Sequence, residues 1–392
     1  ASACLGIMNV IGVHYLGVAG VISSANTRLA KRVLGDVVLG EKTLRPCLIA
    51  LAVTEPGAGT DVEEVELLER GAVTCHAKRV DGGYVVNGTK VFISMGHLST
   101  WTVLYAYTDP KRPAETTVGL MVKAGARGFS FGGHEDKMGQ RACPASELVF
   151  EDCFIPDDQV LFDERRARTF SRRPPKELAQ AYIDYVVAAT RPGVCAFGVG
   201  AARGALEKAL EFASSTTMDG RLLINHEWVQ CRLAEMYKNV ALGRLAYQEA
   251  NHANSLRGLY KLLQLKPFYY YFLLMPKAYF ERVVSPALDR EISSRLMGKI
   301  SYDWARPEDL RCCSGWASLA KITGTDLGLA NCRMALEIMG ATGLRHDAGA
   351  EKILRDIKLL QIYEGTNQLN RLNLFKCLVA PAYTQARVFD EQ

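Results

Sequence analysis

The chain has 392 residues, 48% of them hydrophobic and 23% charged, with a formal net charge of +5 at pH 7. That balance excludes a disordered or fibrous chain and leaves enough apolar sequence to fill two or three domain cores. The positive excess is scattered apart from the run RRARTFSRRPPK, Arg165 to Lys176, and no aromatic-interleaved basic stripe accompanies it, which argues against nucleic-acid binding.

Residues 1–48 read as helix. The run SACLGIMNVIGVHYLGVAGVI is apolar for about twenty residues, the length of a membrane span, but it contains Asn9, His14 and several glycines and lacks the basic start of a signal peptide. It reads as a buried core helix, and with no other run of spanning length the expectation is a soluble protein. Residues 49–160 carry short β-rich runs punctuated by Gly, Asp and Pro, among them GYVVNGTKVFI, TWTVLYAYT, TTVGLMVK and SELVFEDCFI. Residues 161–392 return to helix, as in HEWVQCRLAEMYKNVALGRLAYQEANHA, with apolar positions three and four apart. The predicted fold class is α+β: a helical N-terminal part, a central β-barrel-like domain and a C-terminal four-helix bundle.

Eleven cysteines occur, and only Cys312 and Cys313 are adjacent. No metal-ligand spacing is present, and most lie in apolar runs, the pattern of reduced buried thiols. The basic run reads as a solvated face or flexible loop.

Two stretches carry candidate chemistry. LAVTEPGAGTDVEE, Leu51 to Glu64, joins the helical and β regions; Pro56, Gly57 and Gly59 permit a tight loop whose backbone can approach an anion or a ring, and Thr54 and Thr60 supply hydroxyls. Taken alone it is a turn, and it is not a dinucleotide fingerprint, because no βαβ unit surrounds it. LQIYEGTNQLNR, 360–371, follows the apolar-periodic KILRDIKLLQIY and offers one acid, Glu364, between Tyr363 and Gly365.

Five blocks in order, VTEPGAGTDV, VNGTKVFIS, KMGQRACPASELVFEDCFIP, TRPGVCAFGVGAA and LRDIKLLQIYEGTNQLNR, resemble the signatures of the acyl-CoA dehydrogenase flavoproteins. The resemblance implies FAD held between the β domain and the bundle, lined by Leu51, Val53, Thr54, Gly59 and Thr60, with Phe92 and Ser94 on another side and Thr366 and Gln368 also in contact. It implies Glu364 as the base that removes the α proton of an acyl-CoA thioester, Gly365 as space for that thioester, the Glu364 backbone N–H as a donor to its oxygen, and Arg191 as an inward-facing arginine near the base, for which a structural ion pair is the alternative. The implied partners are the acyl-CoA substrate, electron-transfer flavoprotein or a similar acceptor, and further subunits in a homo- or hetero-oligomer, in a cytoplasm or mitochondrial matrix. An oxidase using oxygen and a complementary subunit with an incomplete flavin site are the alternatives.

Three departures from the family pattern stand out. Thr216, in SSTTMDGRLL, occupies the place of an arginine expected to reach the flavin pyrophosphate, and Glu337 stands where glutamine is common. For the missing arginine, Arg172 or Arg173 is the candidate substitute. The helical region 1–48 is short for the family, so the sequence is expected to begin inside that domain. Two insertions lie near 164–180 and 255–310, the second containing KPFYYYFLLMPKAYF, 266–280, for which an oligomer contact, a lid on the acyl channel and an interfacial membrane anchor are all open.

Overall fold

The computed structural model describes residues 2–257, 261, 264–383 and 385–389. Part of the second insertion, residues 258–260, 262 and 263, lies outside the described residues.

Two helices open the chain, α1 (Leu5–Ser23) and α2 (Thr27–Lys42). Asn26 caps α2 by accepting the Leu29 N–H at 3.2 Å, and its own amide donates to the Val160 carbonyl at 2.8 Å. One cap thereby fixes both the helix start and its place against the strands. A face of small residues on α1 lies against the sheet: a Cβ at Gly17 would sit 2.6 Å from the Ile49 side chain. The expectation of a buried core helix holds for that face alone, because Ile7, Ile11, Tyr15 and Ile22 are exposed on α1.

Eight strands form one mixed sheet in the order β6-β7-β3-β2-β4-β5-β8, with β1 pairing parallel to β4. They are β1 (Ile49–Ala52), β2 (His76–Val80), β3 (Gly83–Ser94), β4 (Trp101–Tyr107), β5 (Thr117–Lys123), β6 (Phe129–His134), β7 (Ala145–Pro156) and β8 (Val160–Phe162). All seven residues of β4 are buried, so this strand reads as a continuous apolar run instead of an alternating one.

The C-terminal bundle is built on α3 (Pro175–Ser215), α4 (Glu227–Arg257) and α6 (Pro307–Gly343), with α5 (Lys266–Leu273) in the second insertion, then α7 (Ala350–Lys358) and α8 (Asn367–Leu374). By length and composition α3 joins α1 as a helix apolar enough to cross a membrane, a correction to the single run recognised in the sequence. Its apolarity serves packing: α3 and α6 approach until a Cβ at Gly198 would stand 2.3 Å from the Gly324 carbonyl oxygen. Asn331 of α6 ties the three long helices together, donating to the carbonyls of Ala202 and Met236 while accepting from Asn239 at 2.9 Å. Pro192, inside α3, cannot donate to the carbonyl four residues back. The Asn254 amide donates to that carbonyl of Ala188 instead, at 2.5 Å.

The basic insertion is not a loose solvated loop. The Arg173 guanidinium donates to the carbonyls of Asp303 and Ala305 at 3.0 and 2.8 Å, and Ser171 donates to Asp303. The second insertion is in turn fixed to the N-terminal helices, where Thr27 donates to the Leu288 carbonyl at 2.7 Å and Lys31 pairs with Asp289 at 2.6 Å. Arg173 is thus committed to stitching one insertion to the other, which removes it as a substitute for the absent arginine.

Gly198→Ala places a methyl against backbone that cannot yield, so the variant is expected to lose about 1–3 kcal/mol. A thermal melt lowered by a few degrees with the same helical circular dichroism is the expected outcome; an unchanged midpoint would contradict the close α3–α6 approach.

Candidate active site

After α7 the chain makes a short 3-10 turn, Leu359–Gln361, and then reverses through Glu364 and Gly365, both left-handed with φ +55° and +71°. A left-handed glutamate is uncommon and is held only where its surroundings over-determine it. Here they do. Thr366 caps α8, accepting the Leu369 N–H at 3.2 Å. The Asn370 amide reaches back to the carbonyls of Glu364, Gly365 and Thr366 at 3.2, 2.9 and 3.0 Å. From α6, Lys321 donates to the Gly365 carbonyl and to Asn367 Oδ1, each at 2.7 Å, and Asn367 donates to Thr325 and Asp326.

This turn directs the Glu364 carboxylate inward to α3, where Thr190 Oγ1 donates to it at 2.8 Å. Burial pushes the Glu364 carboxyl up to about 7, and the neighbouring Glu63 adds to the rise; the Thr190 hydrogen bond, Arg191 and Lys321 oppose it. Lys321 is fully buried. Its amine is pushed down to about 7 by desolvation and then by Arg191, against the pull of Glu63, Glu364 and Asp326. Arg191, only 1% exposed, donates to Ser318 at 2.8 Å and to Glu63 at 2.9 Å. Two acids and two cations therefore meet in one largely enclosed site, where opposite charges offset part of each group's desolvation and like charges add to it.

Arg191 faces inward beside the base, and its direct partners are Glu63 and Ser318 instead of Glu364. Gly365 does not leave an open gap: a Cβ there would lie 2.7 Å from Glu63 Oε2, because that carboxylate fills the space.

The loop after β1 reaches the same place. Glu55 and Ala58 exchange backbone hydrogen bonds around Pro56-Gly57. The Glu55 carboxylate pairs with Lys90 of β3 at 2.7 Å, both side chains fully buried, and accepts the backbone N–H groups of Thr74 and Cys75. Lys90 also donates to the Val53 carbonyl at 2.8 Å, and the Val91 N–H donates to the Thr54 carbonyl at 3.0 Å. Leu51, Val53 and Thr54 are half-buried. Gly59 is exposed with nothing within 4 Å of where a side chain would begin, and Thr60 opens the 3-10 turn Thr60–Glu63 that delivers Glu63 to Arg191.

Beside this loop β3 breaks register between Lys90 and Ile93. Phe92 sits in that break at φ +59° and is 64% exposed. A large apolar ring in left-handed backbone and in the open is the opposite of a core aromatic. Ser94 ends the strand, half-buried. Thr366 lies on the Glu364 turn and Gln368 is exposed on α8. The fold thus gathers Glu364, Thr366 and Gln368 on one turn, Arg191 against it, and the 51–60 loop with Phe92 on the adjoining sheet edge.

Sequence reasoning missed Glu63, Lys321, Asn370 and the Glu55–Lys90 pair. Lys321 had a signal, a lone cation in the apolar helix WASLAKITG; Glu63, in TDVEE, had none that separates it from a solvated acid. Of the two departures that bear on the cofactor, Glu337 pairs with Arg232 at 3.3 Å on the surface, which offsets its charge. Thr216 leads into the hairpin formed by Thr217–Met218 and Arg221–Leu222.

Comparison with known proteins gives the family. The acyl-CoA dehydrogenase middle-domain model matches residues 50–153, and the acyl-CoA dehydrogenase C-terminal-domain model matches residues 181–259 and 300–378. The chain belongs to the acyl-CoA dehydrogenase family. Cyclohex-1-ene-1-carbonyl-CoA dehydrogenase of Syntrophus aciditrophicus is 27% identical over 343 residues, which are 88% of this chain and 65% of that protein. The enzyme of the same name from Geobacter metallireducens is 27% identical over 365 residues, 93% of this chain and 76% of the relative. Among solved structures, butyryl-CoA dehydrogenase from Megasphaera elsdenii shares the fold with a TM-score of 0.67 at 21% identity, covering 96% of this chain and 79% of that one. The chain therefore spans about two-thirds to four-fifths of these relatives.

For this acyl-CoA dehydrogenase family member the raised Glu364 pKa has a stability consequence. A carboxyl near 7 when folded and near its ordinary value when unfolded leaves the folded state holding more protons between about pH 4.5 and 7, so stability falls as pH rises through that window. Glu364→Gln removes the titration. The variant is expected to melt above the parent at pH 8 and level with it at pH 5, measured by calorimetry at both; a difference independent of pH would contradict the assignment.

Proposed function

We propose that this chain removes the α proton and the β hydride of an acyl-CoA thioester, forming a carbon–carbon double bond, with Glu364 as the base. The observation that carries the reading is the inward Glu364 carboxyl, fixed by a left-handed turn and raised to about 7 by burial. A general base works best with its pKa near the operating pH, and an ordinary carboxylate is too weak for an α proton. Thr190 orients the acceptor oxygen, Lys321 and Asn370 hold the turn that aims it, and Arg191 with Glu63 sets the local field.

FAD is the cofactor this reading requires, and when bound it supplies the acceptor for the β hydride. The residues present fit it. The clear space at Gly59, the exposed Phe92 ring and the loop hydroxyls of Thr54 and Thr60 offer a cradle with a stacking face. Leu51, Val53, Ser94, Thr366 and Gln368 would complete it. An external acceptor such as electron-transfer flavoprotein would take the two electrons from the bound cofactor. Thioester binding on the Gly365 side requires the Glu63 carboxylate to move or to be joined by the substrate, since it fills that space.

Glu364→Gln is expected to keep visible flavin absorbance and to slow its bleaching by acyl-CoA about 10²–10⁴-fold. Bleaching within a few-fold of the parent in a stopped-flow mixing experiment would rule Glu364 out as the base. Because the base must be ionised, bleaching by limiting substrate should rise with pH through about 7. Glu63→Gln removes a neighbouring negative charge, so its rise should come at lower pH; a limb that stays in place would show that Glu63 does not act on the base.

A further inference from the structure

Residues 260–299 fall between the two matched stretches of the C-terminal domain and carry a surface that the proposed chemistry does not use. Helix α5 has no buried residue. Phe268, Tyr269, Tyr270, Tyr271, Phe272 and Leu273 follow one another along it, each 46–62% exposed. Consecutive residues step about 100° around a helix, so six of them pass fully round it. A groove on a folded partner, or a second copy of the chain, covers one stripe of a helix. A fluid lipid interface moulds to the helix and shields more of its circumference than a rigid stripe can.

The charge around α5 selects the medium. From Arg257 to Phe280 the sequence holds four cations, Arg257, Lys261, Lys266 and Lys277, and no Asp or Glu; the next residue, Glu281, stands 3.8 Å from Lys277, both exposed. A basic, aromatic segment matches an anionic lipid surface, where phenylalanine enters the acyl boundary and tyrosine hydroxyls stay among the headgroups. At eight residues α5 is about 12 Å long and cannot cross a bilayer, so it lies in the interface. The patch is continuous and firmly mounted. Tyr279 packs edge-on against Tyr271 with ring centroids 6.3 Å apart, and the same insertion is bound to the N-terminal helices through Leu288, Asp289 and Ser294.

We infer that residues 266–280 are an interfacial anchor that docks this protein on an anionic lipid bilayer. The anchor is independent of the catalytic reading. It holds the protein at a membrane surface without inserting the fold into it.

The test is flotation of the purified full chain with vesicles of phosphatidylglycerol and phosphatidylcholine, and with phosphatidylcholine alone. The parent is expected to float with the anionic vesicles and to be released by high salt in part. The triple variant Phe268→Ser, Tyr270→Ser, Phe272→Ser should stay at the bottom of the gradient with unchanged circular dichroism, since these side chains support no core. Lys266→Gln with Lys277→Gln should weaken partitioning onto anionic vesicles on the order of 30-fold and leave phosphatidylcholine binding unchanged. A parent that ignores anionic vesicles overturns the inference, as does a triple variant that floats equally well. A triple variant that elutes as a smaller species, from a parent that does not float, would assign the patch to contact between copies.

Discussion

A carboxylate that is to take a carbon-bound proton near neutral pH has to be kept from water, and a carboxylate kept from water has to be kept in company. Around Glu364 that company is Glu63, Arg191 and Lys321, with Thr190 as a neutral donor. Removing Arg191 would leave the acids without that counter-charge in a site of low dielectric, which costs more than breaking an exposed pair, whereas removing Glu63 relieves Glu364 of a like charge. The four come from four places in the chain: a 3-10 turn at the sheet edge, α3, α6 and the turn before α8. The rest of the molecule can be understood as the frame that brings those four places together.

Glycine makes the frame close enough. The α3–α6 approach at Gly198 and Gly324 leaves the backbones in contact, so that a residue on one helix, Arg191, reaches Ser318 on the other, and Lys321 reaches across to the turn. Pro192 sits one residue after Arg191, and the carbonyl it frees is taken by Asn254, so the break in the backbone ladder leaves that carbonyl paired. On the sheet side, the buried Glu55–Lys90 pair performs the same service for the loop that ends in Glu63. Phe92, in left-handed backbone at the register break, lies two residues beyond Lys90.

Much of this was legible in the sequence because it rests on local pattern. The helix–sheet–helix order follows from periodicity, and the acid in QIYEGTN stands out because a periodic helix ends on it before a glycine and a capping threonine. What was not legible rests on distance in the chain. Glu63 and Gly365 are far apart in sequence, so the glycine read as space for a ligand when the space is filled by a carboxylate. Arg173 sits in a run of like charges and read as solvated, yet the carbonyls that hold it belong to a segment about 130 residues on. An apolar helix such as α3 reads the same whether lipid or another helix covers it.

The central claim is that the folded chain raises the Glu364 carboxyl to about 7. The direct measurement is a pH titration by infrared difference spectroscopy, following the protonated carboxyl stretch in the parent and in Glu364→Gln. A band that disappears with a midpoint near pH 7 in the parent and is missing from the variant is the predicted result. A parent spectrum with no carboxyl titrating near pH 7, or a band of that midpoint that is unchanged in Glu364→Gln, would contradict the account.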